Sequence, residues 1–273
     1  MSLLWRDEVS IYVAPRRIAL ARRSRGLKPR VLAATEVEVD DGNAALCSPT
    51  LRRLAELLQD SAWQGADARV IIADAWVRFC IVPPPPPGLN AVARRAHARF
   101  VLADTYGDGV ADWDVALEDS PPGRDAVASA MFVGLQQGLR AVLDAARLRL
   151  VFLQPQLVVA FNAWRRALPD RDAWFVTLRD GWLAAAHLSS GVWDRVYTTR
   201  LSSHAIVELE RLRAMDHFTR ASIGAGAARM FIEAPTWLRS RLSRFATDVD
   251  WLETFENEGG PAHELELLMR VGT

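Results

Sequence analysis

Cysteine, lysine and net charge are what this chain of 273 residues has least of. Cys47 and Cys80 are its 2 cysteines and no CxxC pair occurs, so a disulfide framework or a cysteine zinc site has little to stand on. No secretory-type apolar leader opens the sequence, and a reducing cytoplasmic setting is expected. The 33 basic side chains cancel 33 acidic ones, which removes the one-signed field that draws a protein to nucleic acid or to an anionic membrane. No nucleic-acid partner is expected. Apolar runs are broken by Arg or Asp well short of the about 18 residues that a spanning helix needs. A membrane role therefore has to come through a partner and not by insertion. Lys28 is the single lysine, and the surplus of Arg and Ala is the codon bias of a GC-rich bacterial genome, so the arginines are not read as a binding signal.

Local signatures of catalysis are missing too. His97, His187, His204, His217 and His263 are scattered without HxH or HExxH spacing, which leaves no sequence-local metal pair. There is no GxSxG elbow and no legible Cys/His/Asn constellation, so covalent catalysis has no candidate nucleophile. No metal and no cofactor is expected.

What is present is a globular composition, 50% hydrophobic and 24% charged, arranged in a repeating order. Val9 to Ala14, Arg17 to Arg23 and Arg30 to Val39 alternate, with Pro15 and Gly26 to Pro29 between them, and read as three antiparallel strands. Ser48-Pro49 then opens a helix with Ser48 as its cap, and ARVIIA (residues 68–73) is a buried strand. The same order returns later. Asp172 to Leu178, Trp182 to Leu188 and Val192 to Leu201 are three strands joined by Arg179-Asp180-Gly181, a type I′ hairpin turn, and by Ser189-Ser190-Gly191. A helix capped by Ser203, the strand RMFI (residues 229–232), a helix from Thr236 and a strand from Val249 to Thr254 follow. Between the halves lie the five prolines Pro83 to Pro87, an Arg-rich helix from Ala91, two strands and a helix from Leu135, which read as an insertion. The helix at Leu157 to Leu168 leads into the second half. The expected organisation is a first lobe over 1–82, an inserted α+β subdomain over 83–150 and a second lobe over 151–273.

This doubled three-strand, helix, strand unit, with WVRFCIVPP (76–84) leaving the first lobe and FLQPQLVVAFNAW (152–164) returning to it, resembles the actin-like ATPase superfamily. Within it the layout is similar to the cytoplasmic actin-like protein of type IV pilus assembly and to the cytoplasmic domain of the type II secretion L protein. The resemblance implies an α/β, actin-like (ribonuclease H-like) fold of duplicated βββαβ units with two lobes. In active members the first hairpin carries an Asp and a Gly that hold metal and phosphate, because phosphate oxygens need closely approaching backbone N–H groups. Here that turn reads Tyr12-Val13-Ala14-Pro15-Arg16, with no acid and a proline where a donor is needed. At the second turn Asp180-Gly181 survives but Trp182 follows. Where active members place glycines against adenosine, this chain has Glu233-Ala234-Pro235, and Gly224 and Gly226 lie on the wrong side of the strand.

These departures make Ala14, Pro15, Asp180, Gly181, Glu233 and Pro235 the turns of a degenerate nucleotide cleft. The resemblance then implies a non-catalytic cytoplasmic scaffold, peripheral to the inner membrane, that binds the cytoplasmic tail of a single-span membrane protein and an assembly ATPase. The alternatives are a divergent ATPase or small-molecule kinase of the superfamily, with Asp180 its metal-associated acid, and a phage or mobile-element interaction protein that uses the fold with no link to pili. Among 10 tryptophans, Trp182 and Trp193 are the candidates for partner contact. The proline run is a stiff spacer, and the helix with Arg94, Arg95 and Arg99 is a solvated face.

Overall fold

The computed structural model describes residues 6–26, 29–40, 47–121, 123–201, 205–221, 228–242 and 249–252. Strands β1 (Glu8–Ala14), β2 (Arg17–Arg23) and β3 (Val31–Glu38) form an antiparallel meander. β1 also pairs in parallel with β4 (Asp67–Ile72), which pairs in parallel with β8 (Arg149–Pro155). Every residue of β1 is buried, which is why its sequence is almost unbroken apolar, whereas edge strand β3 keeps only alternate residues partly covered. Helix α1 (Ser48–Leu57) follows β3. Ser48 is its first helical residue and not its cap; Cys47 takes the cap position without a side-chain bond. The helix start is pinned instead by Thr50, whose hydroxyl donates to the Pro15 carbonyl at 3.2 Å.

The second half repeats this architecture. β9 (Ala173–Arg179), β10 (Trp182–Ser189) and β11 (Val192–Arg200) form a meander, and β9 continues in parallel into β12 (Arg229–Glu233) and β13 (Val249–Leu252). The two five-stranded sheets thus have the orders β3-β2-β1-β4-β8 and β11-β10-β9-β12-β13, with matching strand senses. Alternation divides the second sheet between two cores. Phe175, Ala184, Ala186 and Leu188 join the main core with the first sheet, while Trp174, Val176, Leu178 and Leu183 face α5 (Ala205–Ala221) and α6 (Thr236–Leu242) through Leu209, Leu212 and Leu242. The expected Ser203 cap, Gly224 and Gly226, and the end of the last strand at Glu253 and Thr254, lie outside the described residues.

A third sheet, of order β5-β7-β6, is made from β5 (Val77–Val82), β6 (Trp113–Leu117) and β7 (Ala126–Phe132). Helix α2 (Ala91–Tyr106) covers one of its faces, meeting Cys80, Val82, Val115, Ala128 and Ala130 through Ala98 and Leu102. Helix α3 (Val133–Ala145) follows and places Leu135, Leu139 and Leu143, spaced one turn apart, in the main core beside α1. Helix α4 (Gln156–Trp164) stops short of the expected Leu168, the chain closing with a turn from the Ala167 N–H to the Trp164 carbonyl, and Pro169, which disfavours helical backbone at Leu168, keeps the helix from resuming. Among the described residues no helix is long and apolar enough to cross a membrane.

Candidate functional site

The β1–β2 turn and the β9–β10 turn face one another across the cleft between the two main sheets. At the second turn Asp180 (φ 48°) and Gly181 (φ 75°) both take left-handed backbone, the conformation of a type I′ hairpin. That turn aims the Asp180 carboxylate at the first sheet, where the Tyr12 hydroxyl donates to it. Arg17 meets the same carboxylate with both edges of its fork, Nε to Oδ1 at 3.1 Å and Nη2 to Oδ2 at 3.2 Å, and lies over the Tyr12 ring at 4.9 Å. Tyr12 is fully buried and its oxygen also sits 2.9 Å from the Gln156 amide at the start of α4. A hydroxyl carries one proton, so it cannot donate to both. With the amide turned so that Nε2 faces Tyr12, the phenol accepts from Gln156 and donates to Asp180, and the buried nitrogen, otherwise without a partner, is satisfied.

A second polar pair closes the cleft from behind. Arg179 Nη2 reaches Glu233 Oε1 at 3.3 Å, and both side chains are almost wholly buried. Pro235 is buried as well, and its carbonyl accepts the N–H groups of Leu238 and Arg239 to open α6. Asp74, just past the end of β4, is buried and accepts the Leu157 N–H at 3.1 Å. Loss of hydration pushes its carboxyl up to about 7; the Leu157 N–H works against this, and the negative charges of Glu233 and Asp180 add to it. Asp74, Gln156, Arg179, Asp180 and the partly buried Trp182 line what is left of the cleft, which has no space for a water molecule.

The sequence-predicted residues are therefore unevenly placed. Asp180, Gly181 and Glu233 belong to the cleft, Ala14 is fully buried in β1, and Pro15 lies in the facing turn, tied to Thr50. Trp193 is only 7% exposed and packs edge-on against Phe161 at 5.1 Å, away from the cleft. Tyr12, Arg17, Asp74, Gln156 and Arg179 were not singled out in the sequence. The one local signal was Asp74, an acid immediately after a buried parallel strand, where α/β sheets bring ligands.

A much larger opening lies on the other side of α4. A groove of about 770 Å³ runs between the uncovered face of the third sheet, α3, α4 and the β10–β11 hairpin. Its floor carries Val127, Ser129 and Met131 of β7, the alternate residues to those beneath α2, and Val158 and Phe161 of α4. Acids Asp114 and Glu118 stand on the β6 side and Arg140 and Arg165 on the helical side, with Trp193 closing one end. β6 is an edge strand of this sheet, so among the described residues one row of its backbone groups has no strand partner.

No protein-family model and no curated protein matches this sequence. Solved structures do match, and they define the class. The chain has the fold of the actin-like ATPases, as the sequence resemblance implied: a Bacteroides thetaiotaomicron protein with that fold and unknown function superimposes over 97% of this chain and 95% of its own, at a TM-score of 0.62 and 10% identity. Within that fold, two further structures are similar. The cytoplasmic domain of EpsL, an inner-membrane component of the type II secretion system of Vibrio cholerae, aligns over 97% of this chain and 94% of its own (TM-score 0.60, 11% identity). A chain of the PilM–PilN type IV pilus biogenesis complex aligns over 97% of each (TM-score 0.66, 16% identity).

Proposed function

We propose that this chain is a non-catalytic scaffold of a type IV pilus-like or type II secretion-like inner-membrane assembly, and that it holds the cytoplasmic tail of a membrane partner in the groove between the third sheet and α4. The observation that carries the reading is the contrast between the two openings. Across the inter-lobe cleft Tyr12 and Arg17 bond to Asp180 and Arg179 pairs with Glu233, and what is left of it has no space for a water molecule, whereas the groove is open and mixes apolar floor with charged rims of both signs. An extended peptide laid along β6 would gain main-chain hydrogen bonds, with pockets at Met131, Val158 and Phe161 for alternate side chains. Similarity to a PilM–PilN complex and to an inner-membrane secretion component supports the choice of partner class. An assembly ATPase is a second partner by the same resemblance.

The competing reading, a divergent ATPase or kinase, rests on the three carboxylates of Asp74, Asp180 and Glu233 around the cleft. Two of them are engaged by arginines, and a phosphate chain would enter against their charge. The test is a photo-crosslinking residue at Met131 in the native host, followed by titration of the recovered partner's synthetic tail. Capture of a single-span membrane protein, with a tail affinity that falls about 30-fold or more in Phe161→Ala, is expected for a buried aromatic anchor worth about 2 kcal/mol. Crosslinks only to soluble enzymes or nucleic acid, or equal affinity in the variant, would refute the scaffold.

A further inference from the structure

We infer that the closed cleft is a clasp that holds the groove in its binding shape, with Tyr12, Arg17 and Asp180 as positioning residues acting through α4. The inference rests on the groove being the tail site. Its basis is that α4 is common to both openings. Gln156, the first residue of the helix, meets Tyr12, and the Leu157 N–H is held by Asp74, so the N-terminal end of α4 is fixed by cleft residues. Val158, Phe161, Asn162 and Arg165 line the groove and, at 100° per residue, project from the side of the helix away from Gln156. Displacement at one face is therefore displacement at the other.

Phe161 ties the same helix to the second sheet, edge-on to Phe175 at 5.8 Å and to Trp193 at 5.1 Å. The groove thus has walls from both halves of the chain: β6, β7, α3 and α4 on one side, and Leu188, Gly191, Val192 and Trp193 on the other. Across the cleft the halves are linked by the Tyr12–Asp180 hydrogen bond and the two-pronged Arg17–Asp180 pair. Both are charge-assisted and largely shielded, with Arg17 and Asp180 side chains 20% and 18% exposed. Arg17 is further braced by Glu36 of β3 at 3.1 Å. The inter-lobe cleft is thus occupied by the chain's own side chains, which join the two halves directly.

Hydrogen exchange on the free full-length chain tests this without any peptide. Tyr12→Phe removes the hydroxyl and keeps the ring, and Asp180→Asn removes the charge while tolerating the left-handed φ. The expected result is that amides of α4 beyond Gln156, and those of Val192 and Trp193, exchange about tenfold faster or more in both variants, as loss of charge-assisted bonds predicts. Acceleration confined to residues 12–17 and 177–183, with α4 unchanged, overturns the inference. If Asp180→Asn lowers global stability, Tyr12→Phe decides, since its ring still fills the core. The readout does not involve a tail, so its failure leaves tail capture standing, and a failure of tail capture leaves the measured coupling between cleft and groove intact.

Discussion

Asp74→Asn should stabilise the protein at alkaline pH and do little in acid. The carboxyl has an ordinary value of 3.8 and is raised to about 7 in the folded chain. Folding therefore favours its protonated form: the group costs nothing below the unfolded value, and the cost accumulates as pH rises from about 4 to about 7, remaining constant above. Raised that far, the carboxyl costs about 4 kcal/mol at pH 8, against well under about 1 kcal/mol at pH 4. Water entry and local relaxation around the ionised group lower this cost, leaving about 2 to 4 kcal/mol. Asn retains an oxygen to accept the Leu157 N–H and cannot ionise, so the gain is that of removing the buried charge. For a chain of this size it amounts to a rise in Tm of about 4 °C or more at pH 8, fading towards pH 4. Thermal unfolding followed by circular dichroism across that range is the assay. A variant whose Tm difference from wild type does not grow with pH would show that Asp74 is not the buried, proton-binding group described here.

Two further outcomes follow from the turns. Gly181→Val should cost at least about 1 kcal/mol in denaturant unfolding, because a β-branched residue is forced to positive φ; a Cβ there would meet nothing within 4 Å, so the cost comes from the backbone alone, and an unchanged midpoint would refute it. Calorimetric titration with Mg-ATP should give no binding heat, since the cleft has no open space and its arginines are already paired; a micromolar dissociation constant, about −8 kcal/mol, would transfer the chain to the enzyme reading.

The strands were legible because their burial is written as local periodicity: EVSIYVA, RIALARR and AWFVTLR declare themselves without reference to the rest of the chain. The Arg179-Asp180-Gly181 turn was legible for the same reason, its two left-handed residues being the types that tolerate that backbone. What Asp180 does there was not. Its partners Tyr12 and Arg17 are 168 and 163 residues away in sequence, and no periodicity reports a contact made by the folding of one lobe onto the other. Asp74 was missed because a single acid after an apolar strand looks like ordinary loop polarity until its burial is known. The groove was hidden for a different reason. Its floor is half of β7, and alternation predicts two faces for that strand without saying that one would lie under α2 and the other be left open.

That division along β7 bears on how the protein can change. Ala126, Ala128 and Ala130 are buried, the latter two against α2, while Val127, Ser129 and Met131, between and beyond them, contribute to the groove. The residues that fix the sheet to its helix and the residues that would read a partner are interleaved in one strand but share no packing. If the groove takes a tail as proposed, substitutions at 129 and 131 would alter the preferred tail while leaving the alanine seam intact, whereas Val127, which also packs against the main core, would couple the two.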